Sequence, residues 1–120
     1  MHLINQLVTK VFDTRNAAHK AHWKTNSYAK HVALGDFYGD VVDLLDPLVE
    51  AYQGTYGLLD LGTDNESKHI TDICKHLSDE LVWITENSKK ICRDVDALEN
   101  LLQELQAVYM KALYKLENLS

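Results

Sequence analysis

The chain has 120 residues, 46% of them hydrophobic and 25% charged, with a formal net charge of −6. That length supports one core and is too short for two domains, so residues 1–120 are read as a single domain. No apolar run approaches the roughly 18 residues a membrane span needs, and the negative balance disfavours nonspecific nucleic-acid binding, which rests on Lys and Arg neutralising phosphates.

Met1-His2-Leu3-Ile4-Asn5-Gln6 lacks the basic head and apolar middle of a signal peptide, so a cytoplasmic protein is expected. A first helix follows from about Leu3 to Thr25, with Ile4, Leu7, Val8, Val11, Phe12 and Ala18 forming one stripe. Thr25-Asn26-Ser27 ends it and caps a second helix, from about Tyr28 to Gln53. That helix carries Val32, Phe37, Val41, Val42, Leu44, Leu45, Leu48 and Val49, with Gly54 as its stop. Pro47 inside it removes a backbone donor and predicts a kink or a loosened turn. Thr55 to Gly62 reads as a connection, with a short turn around Leu58-Leu59.

Thr63-Asp64-Asn65-Glu66 has the form of a capping box opening a third helix, along which Ile70, Ile73, Leu77, Leu81 and Ile84 recur. Cys74 and Cys92 share that helix about 27 Å apart, too far to bond to each other, which fits a reducing compartment. The helix breaks near Arg93-Asp94-Val95, and Asp96-Ala97-Leu98-Glu99 caps a fourth. Its stripe of Leu98, Leu101, Leu102, Leu105, Val108, Ala112, Leu113 and Leu116 is the cleanest in the chain and reads as core. Four helices with a longer connection between the second and third predict an all-α four-helix bundle.

A bundle carries no function by itself, so the polar residues must. His22 near the end of the first helix and His31 near the start of the second are brought together by the tight turn. Asp46 and Glu50, spaced i, i+4, stack two carboxylates on one face of the second helix. Two imidazoles and two carboxylates suit iron or another first-row divalent metal better than calcium. His31 and Asp46 lie fifteen residues apart on one helix, hence roughly 22 Å, so they cannot hold one ion within a chain. Two second helices packed antiparallel across a twofold axis would bring His22 and His31 of one copy to Asp46 and Glu50 of the other. Gly35 and Gly39 lie near the crossing point, where missing side chains let backbones approach.

The pattern His22-Trp23, then His31, then Asp46-x-x-x-Glu50 resembles the ferroxidase signature of the Dps miniferritins. The stretch from His22-Trp23-Lys24-Thr25-Asn26-Ser27 through Tyr52-Gln53-Gly54 looks closer still to short Dps-like proteins of tailed phages. The resemblance implies a ferritin-like bundle in a homo-oligomer, a dimer at least and a dodecamer in the family. It implies iron as the metal, with zinc or manganese as stand-ins, in the cytoplasm of a bacterium or of a phage's host. His22, His31, Asp46 and Glu50 would be the ligands, with Trp23 beside the site.

The sequence departs from the family at three places. Gly35 stands where the family has an Asp, with Asp36 turned about 100° away. The interval from His22 to His31 is shorter by three residues, and the Lys-rich tail is absent, which argues against direct DNA binding. Two functions follow: a miniferritin-like ferroxidase, or a non-catalytic helical oligomer serving as a protein-interaction scaffold. His69, Asp72, His76 and Glu80 on the third helix read as a solvated face before a surface metal site. Glu66-x-x-His69 is half of a di-iron pattern with no second half.

Overall fold

The computed structural model describes residues 2–62 and 69–119. They form four helices, α1 (Leu3–Lys24), α2 (Tyr28–Tyr56), α3 (Ile73–Cys92) and α4 (Asp96–Asn118), and no strand is present among the described residues. The expected all-α class holds.

In α1 the inward stripe is Ile4, Leu7, Val8, Val11, Thr14 and Ala18. Phe12, expected on that stripe, is instead 44% exposed. It stands about 100° around the helix from Val11, and Thr14 takes the inward position three residues beyond Val11. Val32 of α2 is likewise exposed.

The stop of α2 is Gly57, not Gly54. Gly57 has φ +94 and its N–H donates to the Gln53 carbonyl at 2.8 Å, while Gly54 remains helical. Positive φ is nearly free for glycine and costly for other residues, which makes Gly57 the natural end. Gln53 reinforces it by accepting from the Leu59 N–H at 3.0 Å through Oε1. The turn expected at Leu58-Leu59 does not form, since residues 57–62 carry no regular structure. Pro47 leaves α2 unbroken. Both Pro47 and Asp43, whose carbonyl loses its partner, are exposed, so water takes the missing bond.

The described part of α3 begins at Ile73, with Asp72 as its cap accepting from the Lys75 N–H at 3.1 Å. Ile70 and His69 therefore precede the helix rather than continuing its stripe. The expected capping box Thr63-Asp64-Asn65-Glu66 lies outside the described residues. Arg93 and Asp94 adopt left-handed φ of 55° and 59° and end α3 where the sequence indicated. Val95, not Asp96, occupies the cap of α4, and Asp96 and Glu99 sit in its first turn, where negative charge opposes the helix dipole favourably.

α1 packs on α2 and α3, and α4 packs on the same two. The start of α1, the end of α2 and the end of α3 line one cavity, through His2, Tyr56 and Arg93. The end of α1 and the start of α3 line another at the opposite end, through Lys24 and Ile73. Hence α2 and α3 run the same way, with Gly57 and Asp72 toward opposite ends of the bundle. With 29 residues, α2 rises roughly 43 Å and spans the long dimension of 44 Å.

The core holds Leu34, Leu45, Leu48, Leu77, Ile84 and Leu102, with Phe37 edge-on to Tyr109 at 5.1 Å. Each fully buried side chain of this size stabilises by about 1.5–3 kcal/mol. Thr14, Glu80 and Gln106 are buried among them. Glu80 thus corrects the expectation of a solvated face on α3: its position falls between Leu77 and Ile84 on the inward stripe. No described helix is long and apolar enough to cross a membrane.

Candidate metal centre

Only residues 25–27 separate α1 from α2. Thr25 is extended, its hydroxyl accepts from the Ser27 N–H at 3.2 Å, and the Ser27 hydroxyl accepts from the Lys30 N–H at 3.2 Å. This short hairpin sets the last turn of α1 against the first of α2, and His22 meets His31.

The two imidazoles stack, with centroids 3.6 Å apart and planes 19° apart. Each ring bonds to the other residue's backbone: His22 Nδ1 to the His31 carbonyl at 2.5 Å, and His31 Nδ1 to the His22 carbonyl at 2.7 Å. A carbonyl oxygen only accepts, so both Nδ1 atoms carry the proton and donate. In the neutral rings both Nε2 atoms then keep a lone pair. This is the tautomer in which a metal-binding histidine is held by its second nitrogen.

Gly35 completes the arrangement. A Cβ there would stand 3.1 Å from His22 Cε1 and 3.2 Å from His22 Nδ1. The His22 ring therefore lies against α2 in the space that a side chain at position 35 would take. The packing reason for Gly35 is found within the chain, whereas a Cβ at Gly39 would meet nothing within 4 Å.

Around the pair lies a ring cluster that sequence reading missed. His19 stacks on Tyr38 at 4.0 Å and 12°, touches Trp23 at 4.3 Å, and stands 6.4 Å from His22. Tyr38 is edge-on to His22 at 5.4 Å, with the Arg15 guanidinium 5.5 Å over its face. Desolvation by these neighbours, then the charge of Arg15 and the proximity of His22, hold the His19 pKa below its ordinary value. The spacing of His19, His22 and Trp23 at i, i+3 and i+4 was the available signal for a shared face. Trp23 is 68% exposed, so it flanks the pair from the solvent side.

Asp46 and Glu50 lie farther along α2, both exposed, and the single chain does not bring them to the histidines. Asp36 turns toward α4, where the Lys115 ammonium approaches its carboxylate at 3.4 Å. Among the described residues no three His, Cys, Asp or Glu side chains converge as a metal site. The exposed face of α2 carries Asp36, Asp40, Asp43, Asp46 and Glu50, a line of negative charge leading away from the imidazoles. The half-motif Glu66-x-x-His69 falls partly outside the described residues.

No curated protein and no solved structure matches the chain. Residues 22–116 match the family described as a family of unknown function, DUF5856, and the match opens on His22 and takes in His31, Asp46 and Glu50. Since that match spans most of the sequence, the chain belongs to the DUF5856 family.

Proposed function

We propose that the protein is a Dps-like iron-binding protein whose site is shared between twofold-related copies. His22 and His31 of one copy and Asp46 and Glu50 of its partner hold ferrous iron as substrate. The observation that carries this reading is the reciprocal Nδ1-to-carbonyl bonding of His22 and His31, which leaves both Nε2 atoms as ligands. Carboxylates from the partner supply the negative charge that the imidazoles lack. In the ferroxidase reaction two ferrous ions give one electron each to a peroxide, which takes up two protons and leaves as two waters. Trp23 flanks the site, and removing ferrous iron and peroxide together would protect DNA without touching it.

A second reading rests on a specific observation. Nearly parallel rings aim their lone pairs side by side rather than at one point, so two ligands to a single ion require one ring to tilt. A copy that keeps the stack is a helical scaffold that binds protein partners through α2.

Complementation separates the two readings. His31→Ala and Glu50→Ala each abolish anaerobic ferrous binding by titration calorimetry. Mixed in equal amounts they recover about a quarter of the wild-type sites, because half the dimers are mixed and each has one intact site. A mixture that forms mixed dimers yet binds no iron overturns the shared site, and a wild type that binds none leaves the scaffold.

A further inference from the structure

Three side chains from three helices meet around one buried carboxylate at the centre of the bundle, and nothing in the hairpin site uses them. Glu80 of α3 has its side chain 2% exposed. Its Oε2 accepts from the Thr14 hydroxyl of α1 and lies 2.7 Å from His76 Nε2, one turn earlier on α3. His76 Nε2 is also 2.7 Å from the Thr14 hydroxyl. The other oxygen, Oε1, accepts from the Tyr109 hydroxyl of α4 at 3.3 Å. Tyr109 is fully buried, and burial beside Glu80 raises its pKa well above the usual phenol value, so it stays a donor.

The charge balance of this cluster rests on His76 alone among the described residues. A buried carboxylate requires a cation or a proton beside it. Among the described residues the lysines in ion pairs reach Asp79, Glu99 and Asp36, not Glu80. Only His76 stands in the cation's place, and at 23% exposure its ring also opens to solvent. Three donor atoms, His76 Nε2, Glu80 Oε2 and Thr14 Oγ1, therefore lie within hydrogen-bond distance of one another, with His76 on the solvent side.

We infer that His76, Glu80 and Thr14 form a binding site for one first-row divalent cation inside each bundle. The ion takes the place of the proton on His76 Nε2, which passes to solvent. The Thr14 hydroxyl keeps its hydrogen and ligates through its oxygen, with water from the His76 side as a further ligand. Tyr109 holds the carboxylate in place from behind. Ligand distances of roughly 2.0–2.2 Å require the donors to part by a few tenths of an ångström, which a swing of the rim histidine supplies. An imidazole with a carboxylate suits zinc, cobalt, iron or manganese ahead of calcium. This site is intrachain and does not rest on the shared site proposed above.

The test uses the full chain carrying His31→Ala and Glu50→Ala, so that the hairpin site is silent. Titration with cobalt(II) is expected to show one saturable equivalent per chain with visible absorption. Adding Glu80→Gln, which keeps acceptor and donor atoms in the core, or His76→Asn is expected to weaken that equivalent at least tenfold, with helicity by circular dichroism unchanged. Zinc is expected to raise the melting temperature of the background chain and leave the Glu80→Gln chain where it was. A background chain that binds no cobalt overturns the inference whatever the wild type does. So does an equivalent that survives both substitutions with unchanged affinity.

Discussion

His22 and Gly35 occupy complementary space: the imidazole of one lies where the Cβ of the other would be, 3.1 Å from Cε1. A side chain at position 35 would therefore press on the His22 ring in the present packing. Gly35→Ala is expected to shift the His22 ring by a few tenths of an ångström and to lengthen its Nδ1 bond to the His31 carbonyl, leaving the His31 bond to the His22 carbonyl in place. Alanine gains roughly 1 kcal/mol in helix propensity over glycine, which offsets the weakened bond, so the melting temperature should change little. Nitrogen-15 spectra of the imidazoles check this, with a shift of His22 toward mixed tautomers expected at unchanged stability.

Gly39 faces open space on the exposed side of α2. Gly39→Leu is therefore expected to leave the monomer folded, or slightly more stable, while blocking close approach of a second α2. Light scattering should show a smaller species than the wild type, and an unchanged dimer would move the crossing point elsewhere.

Tyr109→Phe removes the donor to Glu80 Oε1 and leaves the ring's contact with Phe37. A buried acceptor deprived of its partner costs about 1–3 kcal/mol. Urea unfolding should show a loss of that size with an unchanged slope, and a loss below about 0.5 kcal/mol would mean that water takes the phenol's place.

Cys92 is fully buried, and burial followed by the charge of Glu99 pushes its thiol up to about 11. Burial likewise raises the half-buried Cys74. Below the ordinary thiol value both states carry the proton, and the Cys92 contribution to stability is whole. It is lost as pH rises through 9 toward about 11, because the unfolded thiol ionises first. Labelling at pH 8 should modify Cys74 slowly and Cys92 only on unfolding.

The stripes of α1 and α4 were legible because their apolar residues recur at helical spacing over about four and five turns. The hairpin site was legible as far as His22 and His31, since a three-residue turn fixes their meeting. The end of α2 was not, because Gly54 and Gly57 look equivalent until backbone φ distinguishes them. The contacts of His19 with Tyr38 depend on the register between two helices, which no periodicity within one helix states. Glu80 is different: it lies three residues after Leu77 and four before Ile84, so its burial was readable. Thr14 between Val11 and Ala18, and Tyr109 between Leu105 and Ala112, fall on their stripes in the same way. Three polar residues at core positions of three helices mark one buried network, and taking Glu80 for part of a solvated face concealed it.

The turns at residues 25–27 and 93–95 divide the bundle into two hairpins, α1 with α2 and α3 with α4, joined by the longer stretch from Gly57 to Asp72. Contacts within a hairpin close short loops at little entropic cost, while those between hairpins must wait for the long one. The His22–His31 clasp, only nine residues apart in sequence, belongs to the early class. The Thr14–Glu80 and Tyr109–Phe37 contacts span 66 and 72 residues and form only when the halves dock. The histidine pair closes a local contact and the core around Glu80 a distant one, so the two polar centres of this molecule are expected to form at opposite ends of its folding.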